Sequence, residues 1–256
     1  MIEKFKKYLK LLAILLLVLI IAAAIGFKIY TSRYYKADMD TIIALESELE
    51  PYVNSYSDDQ GMVFIPENQE IKAIIAFYPG GKVEYTAYGG FMYELASRGY
   101  LCLLPEMPEN LAFLGISAVD SIKKRYPDKI SMVENLDWYL AGHSLGGVAA
   151  TVYLSENLDD YAGVILCASY PTKDFSDEDI GLLSVYGSLD KVLNMDNYED
   201  SKAYWSEDAT EYVIEGGIHS YFGCYGIQNG DGTPEITNRE QIKEAADVIE
   251  NWIDKR

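Results

Sequence analysis

The chain has 256 residues, 49% of them hydrophobic, and a formal net charge of −19. Residues 1–36 hold seven of the 21 Lys and Arg and one of the 40 Asp and Glu, so the remainder sets 14 basic against 39 acidic side chains, a net of −25. A surface of that sign repels nucleic acid and anionic headgroups, which argues against polyanion-binding functions, while the apolar content suffices for a sizeable core.

At the N-terminus, Lys4, Lys6, Lys7 and Lys10 precede an uncharged run of 17 residues, 11–27, and Lys28, Arg33 and Lys36 follow it. A positive region before an apolar run is an export signal. The run exceeds the roughly 7–15 residues of a signal-peptide core, and as a helix it spans ~26 Å, with flanking lysines able to snorkel across the shortfall. Residues 1–36 are therefore expected to be a signal anchor or transmembrane segment with its flank. The positive-inside rule puts its basic end in the cytoplasm and the globular part outside. Removal at Ala22-Ala23-Ala24, giving a secreted protein, is the alternative reading.

Residues 37–60 read as a linker holding a short amphipathic helix at 41–49, and residues 61–256 as one domain. Within that domain the pattern predicts strands at 62–65, 71–78 and 100–105, with a helix at 86–98 closed by Gly99. A helix at 115–126 is stopped by Pro127. Strand 138–141 and helix 146–154 come next, then strands 163–168, 182–186 and 211–214, and a closing helix at 239–253. Strands that alternate with helices and are continuously apolar at the centre indicate an α/β three-layer sandwich with a mostly parallel sheet. In such sheets, sites gather at the carboxyl ends of the strands.

One strand end carries chemistry. The apolar run at 138–141 stops at Gly142-His143-Ser144-Leu145-Gly146, a G-x-S-x-G turn between a strand and a small-residue helix. Its glycines let the backbone pass tightly on both sides of Ser144 and lift the hydroxyl out of the sheet edge. The chain has two histidines. His143 lies inside the turn, with its side chain expected to point away from the Ser144 hydroxyl, so a base for Ser144 must be His219, in the loop leaving the last strand. An acid to orient His219 is expected after an intermediate strand. Asp190, just past strand 182–186, is the choice, and Asp174 is the competitor. The order Ser144, Asp190, His219 is that of α/β-hydrolases rather than of chymotrypsin- or subtilisin-type enzymes. Donors for an oxyanion are expected from the backbone N–H of Leu145 and of Gly81 in Pro79-Gly80-Gly81-Lys82, with Lys82 N–H in reserve.

These residues, together with Leu95-Ala96-Ser97-Arg98-Gly99-Tyr100, make the chain resemble the α/β-hydrolase superfamily, and within it the lid-poor, dienelactone-hydrolase-like group (alpha/beta hydrolase fold-5). The resemblance covers roughly residues 60–255 and implies a serine hydrolase acting on a small-molecule ester-like substrate; no cofactor and no metal is expected. Pro79 stands where many relatives have a histidine. Ser144 replaces the cysteine of true dienelactone hydrolases, so that substrate is not carried over.

The short stretch between 168 and 182 leaves no room for a cap domain, and loops 107–114 and 221–234 are expected to wall the pocket. Cys224, near His219, reads as pocket lining. Asn229-Gly230-Asp231-Gly232 resembles half of a calcium loop but lacks the other ligands. The rival readings are a catalytically silent extracellular binding module on the same fold, and an acyltransferase or peptidase using the same three residues.

Overall fold

In the computed structural model, residues 2–126, 130, 133 and 135–256 are described. The chain forms two compact units, residues 1–34 and 35–256. In the first, α1 (Ile2–Thr31) is a single helix of 30 residues. It is long and apolar enough to cross a membrane, a property that signal sequences near an N-terminus share.

The second unit is built on eight strands: β1 (Val53–Asp58), β2 (Gly61–Pro66), β3 (Ala73–Tyr78), β4 (Tyr100–Pro105), β5 (Trp138–His143), β6 (Gly163–Cys167), β7 (Gly181–Gly187) and β8 (Thr210–Ile214). They form one sheet in the order β1-β2-β4-β3-β5-β6-β7-β8. β2 runs antiparallel to both neighbours, and every pairing from β4 through β8 is parallel.

Period-two alternation assigns each strand residue to one of two cores. Ile75, Phe77, Tyr139, Ala141, Ile165 and Val185 pack with α2 (Met39–Leu49), α3 (Gly89–Ala96) and the closing helix α7 (Asn238–Ile253). Ile74, Ala76, Tyr78, Leu140, Val164 and Leu166 pack with α4 (Ala118–Arg125) and α5 (Leu145–Leu154). Central strands covered on both faces need apolar residues at every position, which is why these runs show no alternation of polarity. The expected α/β three-layer architecture with a mostly parallel sheet is present, as is the long apolar N-terminal helix.

Within residues 37–60 the expected helix is present as α2, and a strand that the pattern does not predict, β1, follows it. α2 buries Ile42, Leu45 and Leu49, and β1 closes the sheet edge through a hairpin with β2. An edge strand covered on one face needs few apolar residues, so Asn54, Ser55, Ser57 and Asp58 hid it. The turn back needs Gly61: its φ is +138°, and a side chain there would strike the Leu104 carbonyl.

Other helix boundaries moved inward. A 3-10 turn, Tyr85–Tyr88, precedes α3, and α4 starts at Ala118. The expected stop at Pro127 lies outside the described residues. α6 (Met195–Ser201), capped by the Asn194 side chain, had no counterpart in the sequence reading. α7 opens with a capping box in which Thr237 and Glu240 exchange hydrogen bonds.

Candidate active site

At the carboxyl end of β5 the chain turns through Ser144, whose φ of 51° and ψ of −125° lie in a region that costs a non-glycine residue about 1–3 kcal/mol. The surroundings hold it there. Ser144 N–H donates to the Cys167 carbonyl at 2.9 Å, and its own carbonyl accepts from Gly147 N–H at 3.0 Å and from Ser169 Oγ at 2.7 Å. The two motif glycines are required by close approach rather than by φ. A Cβ on Gly142 would meet Gly147 N at 2.6 Å, and one on Gly146 would run into the carbonyl oxygens of Tyr78 and Pro79. The outcome is a half-buried serine on a rigid turn, with α5 beginning one residue later.

β7 and β8 deliver the acid and the histidine. The Asp190 and His219 side chains are 1% and 2% exposed, and His219 Nδ1 donates to Asp190 Oδ2 at 2.8 Å. Asp190 Oδ1 accepts from the N–H groups of Val192 and Leu193, both at 2.8 Å, so the carboxylate is fixed in one orientation. With Nδ1 donating, the second ring nitrogen of His219 is the one left to take a proton. Asp174 is elsewhere: it caps its own turn by accepting from Ser176 N–H and Oγ.

The loop carrying His219 is tied down from three directions. Asp231 accepts from His219 N–H at 3.2 Å, Gly232 N–H at 2.7 Å, and Ser220 N–H and Oγ at 2.8 and 2.5 Å. Asp231, the acid of the apparent half calcium loop, thus spends both oxygens on this loop. Gln241, fully buried on α7, takes Ile218 N–H and donates to the Ile218 carbonyl. From beneath, His143 Nε2 reaches the His219 carbonyl at 3.0 Å.

That last contact fixes the state of His143. A carbonyl can only accept, so Nε2 carries the proton. Burial, and secondarily the neighbouring His219, push the imidazole pKa well below its usual value, so Nδ1 is bare. Nδ1 lies 2.8 Å from Tyr88 Oη, which therefore donates to it, while the same oxygen accepts Gly80 N–H at 3.0 Å. A single chain of hydrogen bonds runs from the Gly80 amide through Tyr88 and His143 to the His219 carbonyl. Both nitrogens of His143 are spent, and neither serves Ser144.

In the Gly80–Lys82 loop, Gly80 N–H goes to Tyr88 and Lys82 N–H goes to the Asn110 carbonyl at 2.7 Å. Gly81 N–H has no acceptor among the described residues, and neither has the N–H of Leu145, the first residue of its helix. A Cβ on Gly81 would meet Leu145 Cδ2 at 2.8 Å, so the two residues are in contact. The reserve donor, Lys82, is already occupied.

Ser144 and His219 line one cleft of about 130 Å³, together with Leu145, Val148, Tyr170, Val192, Leu193 and Asn194. Its walls are the start of α5 and the segments after β6 and after Asp190, not the expected loops 107–114 and 221–234. The aromatic run after His219 instead packs downward: Phe222 is fully buried, its ring centroid 5.6 Å from that of His143, and Tyr225 lies tilted against Tyr88 with centroids 6.3 Å apart. Cys224 is buried beside Gly90, with burial pushing its thiol up to about 12, and is absent from the cleft lining. Tyr88, Gln241 and the Asp231 clamp have no signature in the sequence, because their partners are brought within reach only once the loops are folded.

Among curated proteins, none matches this sequence. Residues 74–243, two thirds of the chain, match the family described as Alpha/beta hydrolase family, and the matched span runs from β3 to α7, across the serine turn, the acid and the histidine. By fold, strand order and family match, the chain belongs to the alpha/beta hydrolase family.

Proposed function

We propose that this hydrolase is a serine esterase that cleaves a carboxylic ester, or a similar acyl bond, through an acyl-enzyme. Ser144 Oγ attacks the carbonyl carbon, and His219 takes its proton and then passes it to the leaving alcohol. Asp190 keeps His219 in the required tautomer and stabilises the imidazolium. The N–H groups of Leu145 and Gly81 receive the developing oxyanion. Water then enters, His219 removes its proton, and the acid is released as Ser144 regains its hydrogen. The observation that carries the reading is the buried Asp190–His219 hydrogen bond of 2.8 Å beside a cleft that Ser144 also lines.

A cleft of about 130 Å³ suits a short acyl group. The length and apolarity of α1 support a membrane anchor with the hydrolase domain outside the cytoplasm, the basic residues at 4–10 staying inside. A fluorophosphonate probe is expected to label Ser144 of the folded protein, and p-nitrophenyl acetate to be cleaved faster than the palmitate. Folded protein that takes no label, or a Ser144→Ala variant that retains esterase activity, overturns the reading.

A further inference from the structure

Residues 35–38, the stretch leading out of the N-terminal segment, touch both loops of the candidate site. Tyr35 forms a one-residue parallel bridge to Val83: its N–H donates to the Lys82 carbonyl at 2.8 Å, and its carbonyl accepts from Glu84 N–H at 2.9 Å. Those bonds grip the chain immediately beyond Gly81. Ala37 N–H adds a contact to Glu84 Oε2 at 3.0 Å. On the other side, Tyr35 Oη accepts from Asn229 N–H at 3.0 Å, and its ring lies 5.8 Å from that of Tyr225, centroid to centroid. Asp38 N–H donates to the Cys224 carbonyl at 2.8 Å, and Cys224 N–H in turn donates to Ala87 O at 2.7 Å. Residues 219–231 carry the histidine, and residues 79–84 carry the glycine donor.

We infer that residues 35–38 are a clasp that holds the Gly81 loop and the His219 loop at their working separation, with Tyr35 as the positioning residue. This rests on the serine-hydrolase reading above. The physical reason is division of labour. Gly81 must keep its N–H unpaired to serve an oxyanion, so the loop around it cannot be fixed through that group. The flanking groups of Lys82 and Glu84 take the restraint instead, and Tyr35 supplies their partners from a segment that does not itself line the cleft. Transition-state stabilisation depends on donor placement at the sub-ångström level, so loosening this restraint costs turnover before it costs binding. A domain started at residue 37 would lack the clasp's central residue.

The test uses the full chain in mild detergent. Tyr35→Pro removes the donor to Lys82 and the ring, whereas Tyr35→Phe removes only the acceptor for Asn229. Tyr35→Pro is expected to lower kcat for p-nitrophenyl acetate between about ten- and a hundred-fold with KM within about two-fold, and Tyr35→Phe to restore most of it. Amide hydrogen exchange is expected to rise over residues 80–84 and 219–231 in Tyr35→Pro, and over 228–231 alone in Tyr35→Phe. Val53→Ala, on the far edge strand, controls for general destabilisation: at an equal fall in melting temperature it should keep its kcat. Unchanged exchange in Tyr35→Pro, or an equal loss of kcat in Val53→Ala, overturns the clasp. If the wild type takes no fluorophosphonate label, the hydrolase reading fails instead, and the exchange pattern alone decides whether residues 35–38 hold the two loops.

Discussion

Replacing Tyr88 by Phe removes one oxygen and tests the chain of hydrogen bonds under the site. The ring stays, so its packing on Phe77 at 5.1 Å, His143 at 5.7 Å and Tyr225 at 6.3 Å is retained and no large cavity opens. What is lost is the partner of two buried groups, Gly80 N–H and His143 Nδ1. Leaving a buried donor or acceptor unsatisfied costs about 1–3 kcal/mol each, so the variant is expected to lose about 3 kcal/mol, or roughly 6–12 °C of melting temperature for a unit of this size. Thermal unfolding of the full chain in mild detergent, followed by near-ultraviolet circular dichroism, measures this. Activity should fall as well, because Gly80 precedes the proposed oxyanion donor and the imidazole supports the His219 carbonyl. A stability change under about 0.5 kcal/mol, the size of an ordinary surface substitution, would refute the hydrogen-bond chain and the assignment of His143 as its neutral link.

Three further outcomes follow from the same geometry. Asp190→Asn keeps the shape but can donate where the carboxylate only accepts; kcat is expected to fall about 10⁴-fold with folding intact, and esterase kinetics with circular dichroism check both. Gly146→Ala forces a Cβ into two backbone carbonyls that cannot move away, and should cost about 3 kcal/mol or more, seen as a collapse in folded yield and unfolding midpoint. His143 gives a pH dependence. The fold holds its pKa below the usual 6.5, so its contribution is complete above that value and declines as pH falls towards the depressed pKa. The slope should approach about 1.4 kcal/mol per pH unit in urea unfolding below about pH 6.5, and should flatten in His143→Gln. An equally steep slope in that variant would assign the acid sensitivity to other groups.

Much of the candidate site is legible in the sequence. Ser144, Asp190 and His219 stand just past strands whose apolar runs are unmistakable, and the scarcity of histidine leaves His219 as the one candidate base. Position alone points to Gly81, and the spent amides of Gly80 and Lys82 are what leave its N–H available. The pocket walls differ from the expectation. Length and aromaticity point to loops 107–114 and 221–234, yet burial of Phe222 and Tyr225 under His143 and Tyr88 turns those rings away from the cleft. β1 was hidden for a different reason: a strand at a sheet edge needs little apolar sequence, so composition gives it no signature.

Local sequence determines whatever depends on neighbours along the chain. The apolar strands, the glycine-flanked turn at Ser144 and the charge-bounded apolar helix at the N-terminus are of this kind, because periodicity, steric demand and hydropathy act over a few residues. Which groups meet across the fold belongs to the tertiary structure. The link from Gly80 through Tyr88 and His143 to His219, the Asp231 clamp, the Gln241 brace and the grip of Tyr35 on two distant loops each pair residues between 8 and 194 positions apart. Hydrogen bonds of that kind have no period and no composition. They exist only where packing of the sheet and its helices brings a donor and an acceptor within 3 Å or so of each other and excludes the water that would otherwise satisfy both.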